Sequence, residues 1–555
     1  MTVAAPQAAD TAPEAGSRAL RWCALSVVVL VLLPLAALLW TAAQGSGDLW
    51  PHLIRNVLPN ALTQTALLVL GVGVIVGVIG TGTAWLVSVC RFPGRGVFEW
   101  ALLLPLAIPT YIQAFVYVDA VHPLGPIPTA IRGVLGMANP RDLWLPEVRS
   151  LPGCIVLLGL VLYPYVYLAA RAAFLVQVAS VLDAARTLGA GAFETFFRIA
   201  LPLARPAIAV GVTLALMETV NDIGASEFLG VQTLTLSIYS TWLNRSSLPG
   251  AAQIALFMLV LMIALVALER WGRRHQSVAN VGARTRPPAR RELSVGQGVL
   301  AFIACFMPVA LGFLLPAGHL FSTAFQRWQF NGISDTILNE TINTALFAGV
   351  GTMVALACGM VVAVAYRTGA LRSTLPIRLA GLGYAVPGTV LAVGLLVPLA
   401  AFDNAVSSMS REMFGVATGL LLSGSGAALI IAYVIRFLAI PVGGLEAGYG
   451  KIGATMDMAA RSLGETPGGV VRHVHLPLLR PALGSAALLV FVDCMKELPA
   501  TLMLRPLNFE TLASHVYGEA ARGTYEDGAL AALLIVLVGL APVILLARLS
   551  RPQAD

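Results

Sequence analysis

Four carboxylates and one amine stand inside stretches of this chain that are otherwise almost free of charge. In METVNDIGASEF (217–228), Glu218 and Asp222 are four residues apart, and in VDCMKELPATLM (492–503), Asp493, Lys496 and Glu497 repeat the spacing. At an offset of 275, Glu218 aligns with Asp493, Asp222 with Glu497, and Asn221 with Lys496, the lone cation of the set. Residues four apart share one helical face. A charge within a bilayer costs several kcal/mol unless it is paired or hydrated, so such groups normally face a bundle interior or a water-filled cavity. Two kinds of work fit. One is structural: Asp493 and Lys496 form an i, i+3 pair, and Pro499 breaks the helix just beyond, which makes a salt-bridge and capping network. The other is a candidate translocation pathway or gate, a net-negative lining that favours a cationic cargo. The two are compatible, since a gate can be built from salt bridges.

A second repeated feature is polar. DAARTLGAGAFETFFRIALPLARPA (183–207) recurs without a gap as MAARSLGETPGGVVRHVHLPLLRPA (458–482), again at an offset of 275. Asp183 to Leu188 reads as a short helix with an acid near its positive end. Gly189 suits a left-handed stop, and Pro202 starts a new helix where its missing N–H is harmless. Gly464 and Pro477 occupy the matching places. One such loop is ordinary; two in register suggest a paired docking surface for a two-fold symmetric partner.

The elements that must carry these residues are membrane helices. The 555 residues are 58% hydrophobic and 11% charged, and the mean hydropathy is +0.82. Too little charge is present to solvate a soluble surface, and the apolar runs are continuous over roughly 20 residues rather than alternating. Twelve spans are expected, near 22–43, 61–90, 97–119, 152–177, 204–229, 250–270, 298–322, 341–366, 376–402, 416–442, 480–504 and 528–549. The first run is longer than a cleaved signal's apolar core, so it counts as a span. With the N-terminus in the cytoplasm, lysine and arginine concentrate in inside segments, for example Arg18, Arg21, Arg91, Arg95, Arg367 and Arg548. That satisfies the positive-inside rule and puts both polar loops and both termini in the cytoplasm.

The domain plan is a tail (1–21), a first half (22–271) with loop 183–202, an arginine-rich linker (272–297), a second half (298–549) with loop 457–477, and a tail (550–555). Two six-span halves of like orientation form a parallel repeat about an axis along the membrane normal, which would enclose a pathway. The fold class is therefore all-α membrane protein. The six cysteines lie in or beside apolar segments with no C-x-x-C, as small hydrophobes rather than a zinc site or a disulfide framework. His473 and His475 read as surface polar groups. The net charge of +7 follows the membrane pattern, so no nucleic-acid partner is inferred.

The pattern acid-Ala-Ala, three residues, Gly, nine residues, Ile-x-Leu-Pro resembles the EAA loop of ATP-binding-cassette (ABC) importer permeases of type I. Asp183, Ala184, Ala185, Gly189, Ile199, Leu201 and Pro202 fit it throughout. The second copy has Ala459, Ala460, Gly464, Val474, Leu476 and Pro477, but Met458 replaces the acid and Asp457 stands one residue early. The resemblance implies that each loop docks a coupling helix on one of two ATPase subunits, where ATP and Mg bind. It also implies delivery of cargo by a substrate-binding protein outside the membrane, and a location in the bacterial cytoplasmic (inner) membrane. The chain has only Lys451 and Lys496 and neither lies in a phosphate-binding loop, so it is neither the ATPase nor another enzyme by motif, and it holds no cofactor or metal of its own. MKELPATLMLRPLNFETLASHVY (495–517) and GVQTLTLSIY (230–239) look like fused, double-length ferric-iron permeases. Permeases for 2-aminoethylphosphonate and thiamine share parts of these motifs. An ion-coupled secondary transporter would explain the acids but leaves the paired loops without a task.

Overall fold

Long apolar runs with few breakers become long helices because a bilayer offers no other partner for backbone N–H and C=O groups. The computed structural model describes residues 15–137, 139–140, 143, 145–176, 191–273, 290–332, 334–371 and 373–549. Among them ten helices are long and apolar enough to cross a membrane, or twelve if two bent pairs each count as one span. The protein is an all-helical, multi-pass membrane protein. Among the described residues the one sheet is a parallel bridge of Cys90–Arg91 with Arg291–Glu292, which ties the end of the linker to the end of the second span.

The described chain forms two units whose limits cut across the sequence repeat. One contains residues Met1–Leu53, Ile238–Leu259 and Asp335–Ser514; the other contains Ile54–Ser237, Val260–Ser334 and His515–Asp555. Spans two to five of each repeat thus form the body of one unit, and the first span of the other repeat is packed onto it. In the first unit the helix Ala15–Ala43 lies against Gly388–Phe414 and Asp335–Arg367. Gly394 permits this: a Cβ there would stand 2.3 Å from the carbonyl oxygen of Pro34. In the second unit the helix Leu315–Asn331 packs on Tyr525–Leu549. Gly312, just before Leu315–Asn331, makes a like approach to the first repeat's fourth span, its Cβ position 2.8 Å from the Leu160 carbonyl oxygen. Small residues at such crossings let backbones meet where no hydrophobic driving force between helices exists.

Several spans are broken where the sequence read as continuous. The stretch expected at 97–119 is Arg95–Ala107 plus Thr110–Ala120, bent by 89°. The stretch expected at 376–402 is Leu375–Ala380, a 3-10 turn at Gly381–Ala385, and then Gly388–Phe414. Both breaks have one cause. A residue before proline is pushed out of the helical region, and Ile108 (φ −100, ψ 115) and Val386 (φ −90, ψ 122) are extended before Pro109 and Pro387. The span expected at 416–442 is displaced: its helices are Ala427–Phe437 and Ala439–Tyr449. Residues 415–426 are apolar but not helical, because Gly415 and Gly419 turn left-handed (φ 72 and 70). The buried Asp403 carboxylate then collects the N–H groups of Leu422 and Ser423, each at 2.8 Å.

Candidate functional site

The expected fifth spans, 204–229 and 480–504, also break, and an acid sits at each break. In the first repeat the helix ends at Asn221, and the buried Asp222 follows it in extended conformation. Its Oδ1 accepts the Ser226 N–H at 2.9 Å and the Ser226 hydroxyl at 3.3 Å, so it caps the short helix Gly224–Phe228. Its Oδ2 accepts the hydroxyl of Thr110, the first helical residue after the third-span break. One carboxylate therefore joins two broken spans.

The second repeat builds the same joint with different chemistry. Glu497 leaves only 2% of its side chain exposed. It accepts the Ala500 N–H at 3.0 Å, the Thr501 N–H at 3.1 Å and the Thr501 hydroxyl at 3.1 Å, capping Pro499–Leu504. Arg436, in the fourth span, brings Nε to 3.9 Å from Glu497 Oε1 and donates from Nη1 to the Val386 carbonyl at 3.4 Å. The guanidinium thus reaches from the fifth-span acid to the third-span break. Gly388 leaves the room, since a Cβ there would lie 2.7 Å from Glu497 Oε1 and 3.0 Å from Arg436 Nη1. Counted from the breaks at Pro109 and Pro387, the first repeat has Thr110 where the second has Gly388, and at the offset of 275 it has Val161 in place of Arg436. A hydroxyl serves one acid and a cation the other.

One turn earlier, Glu218 and Asp493 are half-buried. Lys496 Nζ stands 2.9 Å from Asp493 Oδ1, with side-chain exposures of 32% and 24%. Lys496, the lone cation of the aligned fifth-span set, sits with Asp493, and a cation from the fourth span, Arg436, sits with Glu497. The signal for Arg436 was present, a single arginine in the apolar run AALIIAYVIRFLAI (427–440).

Of the first polar loop, Asp183, Ala184, Ala185 and Gly189 lie outside the described residues. Leu201 and Pro202 open the helix Leu201–Asn221 directly after a π-helical turn at Thr195–Ala200. Leu476 and Pro477 open Leu476–Met495 after a π-helical turn at Val471–His475. In the second loop Ala459 and Ala460 lie on Ala454–Ser462, with Ala460 buried and Ala459 exposed. Gly464 has φ 91, and its N–H and that of Glu465 close onto Arg461 and Ala460 carbonyls at 3.0 and 3.1 Å. Met458 and Leu463 project from this helix-turn, 61% and 86% exposed. His473 is exposed beside Glu465, but His475 is buried, contrary to the surface position expected for it; its Nε2 lies 2.9 Å from Asp457.

Paired broken helices with buried acids at the breaks and half-buried charges one turn before them, repeated in two like halves, define a polytopic membrane transport protein, in which irregular backbone at membrane depth is tolerated where protein or a cavity surrounds it. Residues 73–275 match the family model described as binding-protein-dependent transport system inner membrane component. A 2-aminoethylphosphonate transport system permease protein of Salmonella typhimurium is 30% identical over 280 residues, 95% of that protein and 48% of this chain. The chain belongs to the family of binding-protein-dependent transport system inner membrane components, the permeases of ABC transporters. An Fe(3+)-transport system permease protein of Haemophilus influenzae is 27% identical over 505 residues, covering 89% of this chain and 90% of its own. An ABC transporter permease protein of Sinorhizobium fredii is 25% identical over 566 aligned positions, 95% of each chain. The protein is thus a double-length transport permease, a subunit that moves cargo rather than an enzyme, and its family works with an ATPase and a substrate-binding protein.

Proposed function

We propose that this permease carries ferric iron into the cytoplasm of a bacterium. The observation that carries the reading is likeness along nearly the whole of both chains to the Fe(3+)-transport permease, itself of double length. The 2-aminoethylphosphonate permease matches about half of this chain and is the second reading. In the working cycle two copies of a separate ATPase close against the cytoplasmic loops 183–202 and 457–477, ATP and Mg being bound there and not by this chain. A binding protein presents cargo on the outer side, and both termini of the permease are cytoplasmic.

The half-buried acids Glu218 and Asp493, with Lys496, are proposed to meet the cargo route, where carboxylates favour a cation. Asp222 and Glu497 are proposed to act as the gate's fixed joints, since each is consumed by hydrogen bonds that hold broken spans together. The test is radioactive iron uptake by proteoliposomes containing the permease, its ATPase and its iron-loaded binding protein. ATP-dependent uptake that survives an uncoupler and is not displaced by excess 2-aminoethylphosphonate is expected. Uptake abolished by the uncoupler with ATP present would mean an ion-coupled carrier, and uptake of the phosphonate instead of iron would replace the cargo.

A further inference from the structure

The second polar loop lacks an acid at 458, yet Asp457 next to it is built into the protein. Its Oδ2 accepts from Arg367 Nε at 3.0 Å, and its Oδ1 lies 2.9 Å from His475 Nε2. Arg367, the last residue of the second span, also donates from Nη2 to the Ile452 carbonyl at 3.0 Å. Burial alone would raise the Asp457 carboxyl, but the bonds from Arg367 and His475 outweigh it and hold it below the usual carboxylate range. His475 is 2% exposed, and its Nδ1 is 3.4 Å from the Tyr449 hydroxyl at the end of the fourth span. The Tyr449 ring meets the imidazole edge-on at 5.0 Å and lies 5.7 Å from the Arg367 guanidinium. Ile452, Leu479 and Leu445 pack beside them in one apolar cluster. One carboxylate on the loop helix is thereby bound to the cytoplasmic ends of the second, fourth and fifth spans.

Among the described residues the first repeat shows no set of the same residue types. Thr65 and Thr344 accept the N–H of Leu234 and Leu512 respectively, which aligns the second spans and sets Arg367 against Ser88. At the offset of 275, Asp457, Tyr449 and His475 correspond to Leu182, Phe174 and Ala200. Phe174 packs edge-on against Trp85 at 5.5 Å, an apolar arrangement. Among the described residues the polar anchor is found in the second repeat.

We propose that Asp457 is a positioning residue for transport: through Arg367 and His475 it makes the second loop move with the spans, so that ATPase closure on that loop is converted into movement of the cargo route. This rests on the reading of 457–477 as an ATPase-docking loop. Because a rigid connection transmits displacement and a loose one absorbs it, loss of the anchor separates ATP hydrolysis from transport without releasing the ATPase.

The test uses the complete transporter in proteoliposomes and measures cargo moved per ATP hydrolysed. A photo-crosslinking residue at the exposed Leu463 reports ATPase contact independently. Asp457→Asn is expected to keep the crosslink and ATP hydrolysis while cargo per ATP falls at least fivefold. The exchange Asp457→Arg with Arg367→Asp is expected to recover at least half of that loss. If the exchanged protein does not assemble, Arg367→Lys takes its place and is expected to couple nearly as the native protein does. Native stoichiometry in Asp457→Asn overturns the proposal, as does coupling in Arg367→Lys as poor as in Asp457→Asn. Absence of the Leu463 crosslink in the otherwise native complex overturns instead the docking-loop reading on which it rests.

Discussion

Arg436 offers the sharpest perturbation, because the structure puts a full charge against a nearly inaccessible one. Its Nε is 3.9 Å from Glu497 Oε1. At an effective dielectric of about 20 that attraction is about 4 kcal/mol, in line with the roughly 3–5 kcal/mol lost when one partner of a buried pair is removed. The Ala500 and Thr501 N–H groups and the Thr501 hydroxyl remain on Glu497 after Arg436→Met, and they offset part of this. A net loss of about 3 kcal/mol is expected. At about 2–4 °C per kcal/mol for a domain of this size, the purified protein in detergent should unfold about 6–12 °C lower, followed by fluorescence-detected size exclusion after heating. Adding Glu497→Gln removes the stranded charge and should return at least half of the shift, because residues of one buried pair are strongly non-additive. An Arg436→Met midpoint within about 2 °C of native, or a double variant equal to the sum of the singles, would refute the idea that this pair holds the joint.

Thr110→Val takes one hydroxyl donor from the buried Asp222; a loss of about 1.5–3 kcal/mol is expected, and Thr110→Ser should restore it in the same thermal assay. Gly394→Ala drives a methyl into the Pro34 carbonyl, whereas Gly443→Ala meets nothing within 4 Å, so only the former should reduce the yield of folded protein from membranes. Gly464 also has open space around its Cβ position but φ 91; Gly464→Val should therefore act through backbone strain of about 1–2 kcal/mol. That variant should weaken ATPase association in pull-downs while membrane insertion stays native, and unaltered association would argue against the turn's role.

Much of the architecture was legible because its causes are local. Membrane helices satisfy their own backbone, so length and apolarity suffice to find them, and both polar loops showed themselves by repetition. The broken third spans were also written locally, in Ile108-Pro109 and Val386-Pro387, yet hydropathy conceals them because an extended Ile or Val is as apolar as a helical one. The same blindness displaced the span near 416–442: glycine conformation and the buried Asp403, not polarity, keep residues 415–426 out of a helix.

Sequence alone determined that the chain is a helical membrane protein of two like halves, that it carries a doubled polar loop, and that acids recur in both fifth spans. These follow from composition, periodicity and register, which need no knowledge of what touches what. Tertiary structure decided which charges meet. Glu497 and Arg436 are 61 residues apart in the chain, and Asp457 reaches back 90 residues to Arg367; no spacing rule links such pairs. It also decided that the first span of one repeat packs on the body of the other, through the bare backbone of Gly394 against Pro34. A helix's apolar surface suits lipid and protein alike, so hydrophobicity says that it will be buried in something, and only close packing selects what.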